Sequence, residues 1–317
     1  MKDLLASNIG ELVPVATLSA LGVCVFSWFI PWMMKRSTKA NPTASANALR
    51  SRLTDTSYLL LSPVTELCTR MITTIGFVVC AGLIGRPIDL DLLHGYGPVV
   101  DQPRWLILVE MLVLADFAYY WVHRMAHNIP WLWRLHAVHH STQHLCSLSA
   151  LRAHPGEVYT VFLSRLPLFL LGFPLEALVD LMFFTVPYAL WIHSDVRYSA
   201  RPLHYLFNSP DFHRWHHALE FKGNGTNFAG LFPIFDALFG TYHFPAAAPA
   251  ALGIADRMMP ESLLGQLVYP FRSHKLIRPI GVSAHPDAAS TRGGNIAVAT
   301  TRSNTLNNLT AETIATR

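Results

Sequence analysis

The sequence predicts an all-α protein: an integral-membrane helical bundle of about four to five membrane helices with a cytoplasmic, histidine-rich helical cap. Three observations predict it. Hydrophobic residues make up 51% of the 317 positions and charged residues only 14%, with a mean hydropathy of +0.31, well above that of soluble domains. Apolar runs long enough to cross a bilayer recur between residues 12 and 192. Twelve of the 16 histidines fall between His123 and His217, in groups with helical spacing.

The N-terminus lacks a basic leader region, so no removable signal peptide is expected. Residues 12–34 carry no charge and predict a first span. The following loop holds Lys35, Arg36, Lys39, Arg50 and Arg52 and no acid from 35 to 52, which places it on the cytoplasmic side. A second span is expected from about Val64 to Ile84, with Glu66 and Arg70 paired at i,i+4. Asp89, Asp91 and Asp101 suit an outer loop, and a third span from Trp105 then delivers His123 to the cytoplasmic face. Residues 158–192 are apolar but punctuated by Pro167, Gly172, Pro174 and Pro187. They read as a hairpin of helices over about 158–171 and 175–192, either spanning or re-entrant. The tail from 280 to 317 is small, polar and aperiodic, and is expected to be disordered.

The net charge of +4 is small and no basic tract is interleaved with aromatics, so nucleic-acid binding is not expected. Cys24, Cys68 and Cys80 lie in apolar segments and read as small buried hydrophobes; with Cys146 they form no CxxC pair. Trp121, Trp131, Trp133, Trp191 and Trp215 read as an interfacial belt. Arg124, Arg152 and Arg214 read as solvated or head-group-facing.

Three histidine groups have helical spacing: His123 with His127; His136, His139 and His140; and His213, His216 and His217. Positions i, i+3 and i+4 share a helix face, so each group aims imidazoles at one point. Pro130 stands near the start of the second group's helix, and Ser209 and Pro210 predict the N-cap and first turn of the third. Neutral imidazole ligates iron, zinc, copper and nickel. These eight rings exceed one ion's needs, so two metals are the economical reading. Asp116, Tyr120, His123 and His127 form one stripe of the third span. A carboxylate there needs a partner, either a ligand imidazole or a basic residue of another span.

The stretches DFAYYWVHRMAH, LWRLHAVHHST, LSALRAHPGE, LWIHSD, NSPDFHRWHH and TNFAGLFPIFDALFGTY, in this order from Asp116 to Tyr242, resemble the fatty acid hydroxylase and sterol desaturase superfamily of integral-membrane di-iron oxygenases. They are most similar to its alkylglycerol monooxygenase-like and bacterial "sterol desaturase" branch. The resemblance implies His123, His127, His136, His139, His140, His193, His213, His216 and His217 as metal ligands, His154 as a further candidate, and Asp116, Asn227 and Asp236 as supporting residues. Two departures stand out: Phe235 where tryptophan is usual, and Asn128 where the mammalian ether-lipid enzymes carry an acid.

The implied domains are an anchor and basic linker at 1–58, a catalytic membrane domain at 59–279 and the tail at 280–317. The implied activity is insertion of an oxygen atom from O2 into a C–H bond of a lipid from the bilayer. Two irons serve that redox chemistry, although the ligands alone would also accept zinc. No Rossmann fingerprint or flavin motif is present, so a separate electron donor (ferredoxin, cytochrome or reductase) is expected. The expected location is a bacterial inner membrane, with the active site on its cytoplasmic side. Alternatives are a desaturase using the same metals and, in another class, a histidine-rich metal transporter. The transporter reading is disfavoured because the histidines gather at one face.

Overall fold

The computed structural model describes residues 45–86, 94–198, 203–219, 225–256 and 258–272. The expected span at 12–34, most of the basic loop, Asp89, Asp91, Cys24 and the tail lie outside the described residues. Eight α-helices are named here: α1 Ser45–Leu83, α2 Arg104–Asn128, α3 Pro130–His140, α4 Val158–Leu170, α5 Ala177–Ile192, α6 Pro210–His216, α7 Ile234–Leu238 and α8 Leu263–Val268. Short 3-10 turns at Ser147–Leu151 and Pro155–Glu157 link α3 to α4. Among the described residues the only strand-like pairing is the bridge between Ala218 and Leu252.

The helix expected from Val64 starts at Ser45 instead and runs 39 residues, through the expected boundary at 58 and 59. That is about 58 Å at 1.5 Å per residue, longer than a bilayer core is thick. Pro63 does not end it. The Ser62 hydroxyl donates to the Leu59 carbonyl at 2.7 Å, the acceptor that the missing Pro63 N–H leaves free. The early turns are held by packing, with Tyr58 buried against Trp133, Ala137 and Tyr269. Further on, Arg70 Nε donates to Glu66 at 2.8 Å, the pairing the spacing predicts. Leu60, Val64, Leu67, Met71, Ile75, Val79 and Leu83 form an exposed apolar stripe at three- and four-residue steps.

The windows in Ala48–Leu83 and Arg104–Asn128 are apolar and long enough to cross a membrane, with only 17% and 28% of them buried. So little burial separates them from the core helices of a soluble protein. The hairpin forms as predicted, as α4 and α5. Its turn needs Gly172 at φ 87, because a Cβ there would stand 2.2 Å from the Tyr96 carbonyl oxygen. Leu168, Phe173, Ala177 and Leu181 pack on Ile107 and Met111 of α2, while Phe169 stacks on Phe77 of α1 at 4.8 Å. At one end of these helices gather the short ones that carry the histidines. Two of the expected belt tryptophans lie there in the interior: Trp133 is in the α1–α3 core, and the buried Trp215 donates to the Ala247 carbonyl. Cys68 is exposed rather than buried, on the outward side of α1.

Candidate metal centre

Three helices and one helix terminus bring nine histidines together. α2 supplies His123 and His127, α3 supplies His136, His139 and His140, His193 caps α5, and α6 with its C-cap supplies His213, His216 and His217. α6 starts where Ser209 and Pro210 predict, with the Ser209 hydroxyl accepting the Phe212 N–H. The nine divide into two groups, His123, His127, His136, His140 and His216 in one and His139, His193, His213 and His217 in the other. Within each, the ligand-capable atoms lie within 4.8 Å of one another. His139 and His140 are neighbours in sequence yet join different groups, as do His216 and His217, because adjacent helical side chains diverge by about 100°. The groups abut, with the rings of His140 and His217 at 4.5 Å.

Outer hydrogen bonds fix the tautomers. Nδ1 of His123 donates to the Phe228 carbonyl (2.8 Å), that of His216 to Thr226 (2.9 Å), and that of His136 to the Glu157 carboxylate (2.8 Å). Nδ1 of His139 donates to the Arg152 carbonyl (3.2 Å) and that of His193 to Ala189 (2.7 Å). These acceptors hold the proton on Nδ1, so Nε2 of each ring presents a lone pair inward. Yet Nε2 of His123 stands 3.0 Å from Nε2 of His136, and Nε2 of His193 stands 3.2 Å from that of His139. Facing lone pairs at this distance repel unless a cation lies between them.

A proton is a poor cation here. Burial, then the neighbouring rings, holds His139, His140, His213 and His217 well below the ordinary imidazole range. Burial takes His193 down to about 4 and His216 to about 3. Both nitrogens of His140, Nε2 of His216 and Nδ1 of His217 are buried without a hydrogen-bond partner, a costly state for a polar atom. A metal ion resolves both problems, and separations of 3.0–3.2 Å suit imidazoles bound at about 2.1 Å to one ion. The donor set fits a pair of metal ions.

One loop orients two of these rings. Asn227 adopts a left-handed conformation at φ 61, which asparagine tolerates better than most residues. The carbonyls on either side of it, Thr226 and Phe228, are the acceptors for His216 and His123. The Asn227 amide holds the Phe212 and His243 carbonyls, and Asp236 accepts the N–H groups of Phe228 (2.7 Å) and Ala229 (3.0 Å). Asp116 meets neither of the partners expected for it. Its two oxygens accept the Leu231 and Phe232 N–H groups, each at 2.8 Å, so it anchors the same loop. A side chain at Gly230 would crowd it, since a Cβ would lie 2.9 Å from Asp116 Oδ1. His154 stands outside both groups: Nε2 donates to the Leu267 carbonyl and Nδ1 accepts the Gly156 N–H.

The expected exposure of two arginines is corrected. Arg152 is buried and its Nε donates to Asp55 of α1 at 2.7 Å; Arg214 is buried beside Asp195, Asp211 and the Ser194 carbonyl. Arg124 is half-buried, donating to the Tyr120 hydroxyl and the Phe239 carbonyl. Sequence reasoning missed Glu157 and Asp55. Glu157 ends the quoted HPGE stretch, but nothing in its spacing ties it to His136, and Asp55 sits 97 residues from Arg152. Beside the histidines lies a cavity of about 380 Å³, lined by His123, His139, His193 and His213 and by apolar side chains such as Leu112 and Leu181.

Residues 108–241 match the fatty acid hydroxylase family model, a stretch that starts in α2 and ends beyond α7 and so contains every histidine of both groups. Outside the matched stretch stand Asp55 and the rest of α1, which brace it through Arg152. The chain is 35% identical over 174 residues to ornithine lipid hydroxylase OlsE of Rhizobium tropici, covering 54% of this chain and 52% of that protein. It is 38% identical over 127 residues to human alkylglycerol monooxygenase, 40% of this chain and 28% of that one. A rice very-long-chain aldehyde decarbonylase, GL1-11, is 33% identical over 147 residues, 44% of this chain and 54% of its own. The chain thus spans about half the length of the first relative and under a third of the second. No solved structure matches it.

Proposed function

We propose that this protein is an integral-membrane oxygenase that inserts one oxygen atom of O2 into a C–H bond of a lipid. One iron is held by His123, His127, His136, His140 and His216 and a second by His139, His193, His213 and His217. One observation carries the reading: the nitrogens of nine buried or half-buried histidines converge in two groups beside an apolar cavity. The activities named for the relatives, hydroxylation of an ornithine lipid and oxygenation of an alkylglycerol, support it and make an amino-acid-bearing or ether lipid a suitable substrate. When bound, the iron pair supplies the redox chemistry with dioxygen that zinc lacks.

The protein's own residues prepare that site. Glu157 and the carbonyls of Thr226, Phe228, Arg152 and Ala189 keep the ring protons on Nδ1 and leave Nε2 as a donor atom. Asp116, Asn227 and Asp236 hold the loop that presents two of those carbonyls. The apolar walls of the cavity take up a lipid chain and exclude water. Two electrons come from a separate ferredoxin, cytochrome or reductase. In this reading α1, α2 and the α4–α5 hairpin lie in the bilayer, the histidine helices cap their cytoplasmic end, and the catalytic domain extends beyond 59–279 to include the first turns of α1 from Ser45.

The test is incubation of the iron-loaded protein with a lipid extract, an electron donor and isotopically labelled dioxygen, followed by mass spectrometry. A lipid that gains one labelled oxygen, and no longer does so with His139→Ala, supports the reading. Loss of two hydrogens without oxygen would make it a desaturase, and cation flux in vesicles without lipid change would make it a transporter.

A further inference from the structure

We infer that Arg165 anchors an anionic group of the lipid substrate, a carboxylate or a phosphate, and thereby fixes which part of the chain reaches the histidines. The inference rests on the oxygenase reading and deepens it. Arg165 lies in α4 and lines the cavity of about 380 Å³ that His139, His193 and His213 also line. Of the lining residues only Arg165 and Asp116 carry a fixed charge, and the Asp116 oxygens accept the Leu231 and Phe232 N–H groups. Thr160, Ser164 and Tyr188 direct their hydroxyls onto the carbonyls of Glu157, Val161 and Asn208. Among the described residues Arg165 has no hydrogen bond and no ion pair within 4 Å.

Glu66 and Arg70 of α1 act on Arg165 electrostatically, but Glu66 is already bound to Arg70 at 2.8 Å. One carboxylate therefore faces two guanidiniums, and one positive charge is left over in an apolar wall. Such a charge is costly within a bilayer and is found there when it has a partner to meet. A guanidinium presents a planar fork of donors that fits a carboxylate or phosphate with two parallel hydrogen bonds. Arg165 lies eight residues beyond Glu157, which touches His136, so the anchor sits roughly 12 Å along the helix from that contact. A lipid held by its anionic group at Arg165 presents an internal carbon, not its head, to the histidines.

The experiment is equilibrium binding to the purified full-length chain in nanodiscs, with palmitate, hexadecyl phosphate and uncharged methyl palmitate as probes at neutral pH. Native protein is expected to bind at least one anionic probe about tenfold or more tightly than the ester, a difference of about 1.4 kcal/mol. Arg165→Gln should remove most of that preference while leaving the ester's affinity unchanged, and Arg165→Lys should retain part of it. Preference for palmitate alone assigns a carboxylate, and preference for the phosphate alone assigns a phosphate. Equal binding of acids and ester by native protein, absence of binding by all three, or an undiminished preference in Arg165→Gln overturns the anchor. The native comparison needs no variant to fold, and binding needs no turnover. An acid preference without oxygen incorporation would therefore count against the oxygenase reading and not against Arg165.

Discussion

Glu157 and His136, 21 residues apart, meet at 2.8 Å, with the carboxylate accepting the Nδ1 proton and both side chains buried. That contact turns Nε2 of His136 toward Nε2 of His123. Glu157→Gln keeps the shape and removes the charge. It is expected to lower metal affinity or activity by about 10–100-fold, the usual effect of losing a ligand's outer partner. Metal analysis per chain should show the five-histidine group depleted and the four-histidine group retained. Equal loss from both would place Glu157 in a general structural role.

The division into two groups predicts two metal ions per chain. His140→Ala and His213→Ala, one from each group, should each leave about one ion bound, measured by elemental analysis of protein loaded with ferrous iron. Chelation should lower the melting temperature of the native chain and iron should restore it, because a ligand that binds only the folded state stabilises it. An unchanged metal content in either variant would contradict the grouping.

Asp55 and Arg152 form an ion pair with side chains 0% and 4% exposed, and Arg152 also donates to Ser51 and Ser141. Removing one partner leaves a buried charge uncompensated. Asp55→Asn is therefore expected to cost about 3–5 kcal/mol, read as a fall in unfolding midpoint in detergent. Because the Arg152 carbonyl accepts from His139, the same variant should loosen the four-histidine group. A thermal midpoint within error of the native one would refute the assignment of Arg152 to the interior.

Acid should destabilise the metal-free chain. Burial depresses His193 to about 4 and His216 to about 3, below the value of 6.5 that these groups regain on unfolding. The folded state thus binds fewer protons than the unfolded one across that interval, so stability is full above about pH 6.5 and falls as pH drops toward 4 and 3. Melting curves of chelated protein at pH 7.5 and 5 should show the fall, and His216→Gln should flatten it. Bound metal is expected to be released over the same window, since protons compete for the same nitrogens.

The histidine helices were legible because their signal is local. HRMAH and the two HxxHH stretches need only helical periodicity to aim rings at a point, and Ser209 and Pro210 start α6 by cap chemistry that four residues contain. The hairpin was legible for the same reason, from apolar runs and the glycine and prolines between them. The start of α1 was not: residues 45–63 become helical through Tyr58 and Asp55, whose partners lie far along the chain.

By itself the sequence determined an all-helical chain with histidines at one end of its apolar helices; His193 entered only through family resemblance. Tertiary structure alone decided that His139 and His140 lie in different histidine groups, that His154 lies outside both, and that Glu157 lies on His136. It also turned Asp116 from an imidazole onto the main chain of the 230–232 loop. The physical reason is one of range. Periodicity fixes which face of a helix a residue occupies, but which ring, carbonyl or carboxylate it meets depends on how distant helices dock, and burial makes those meetings obligatory.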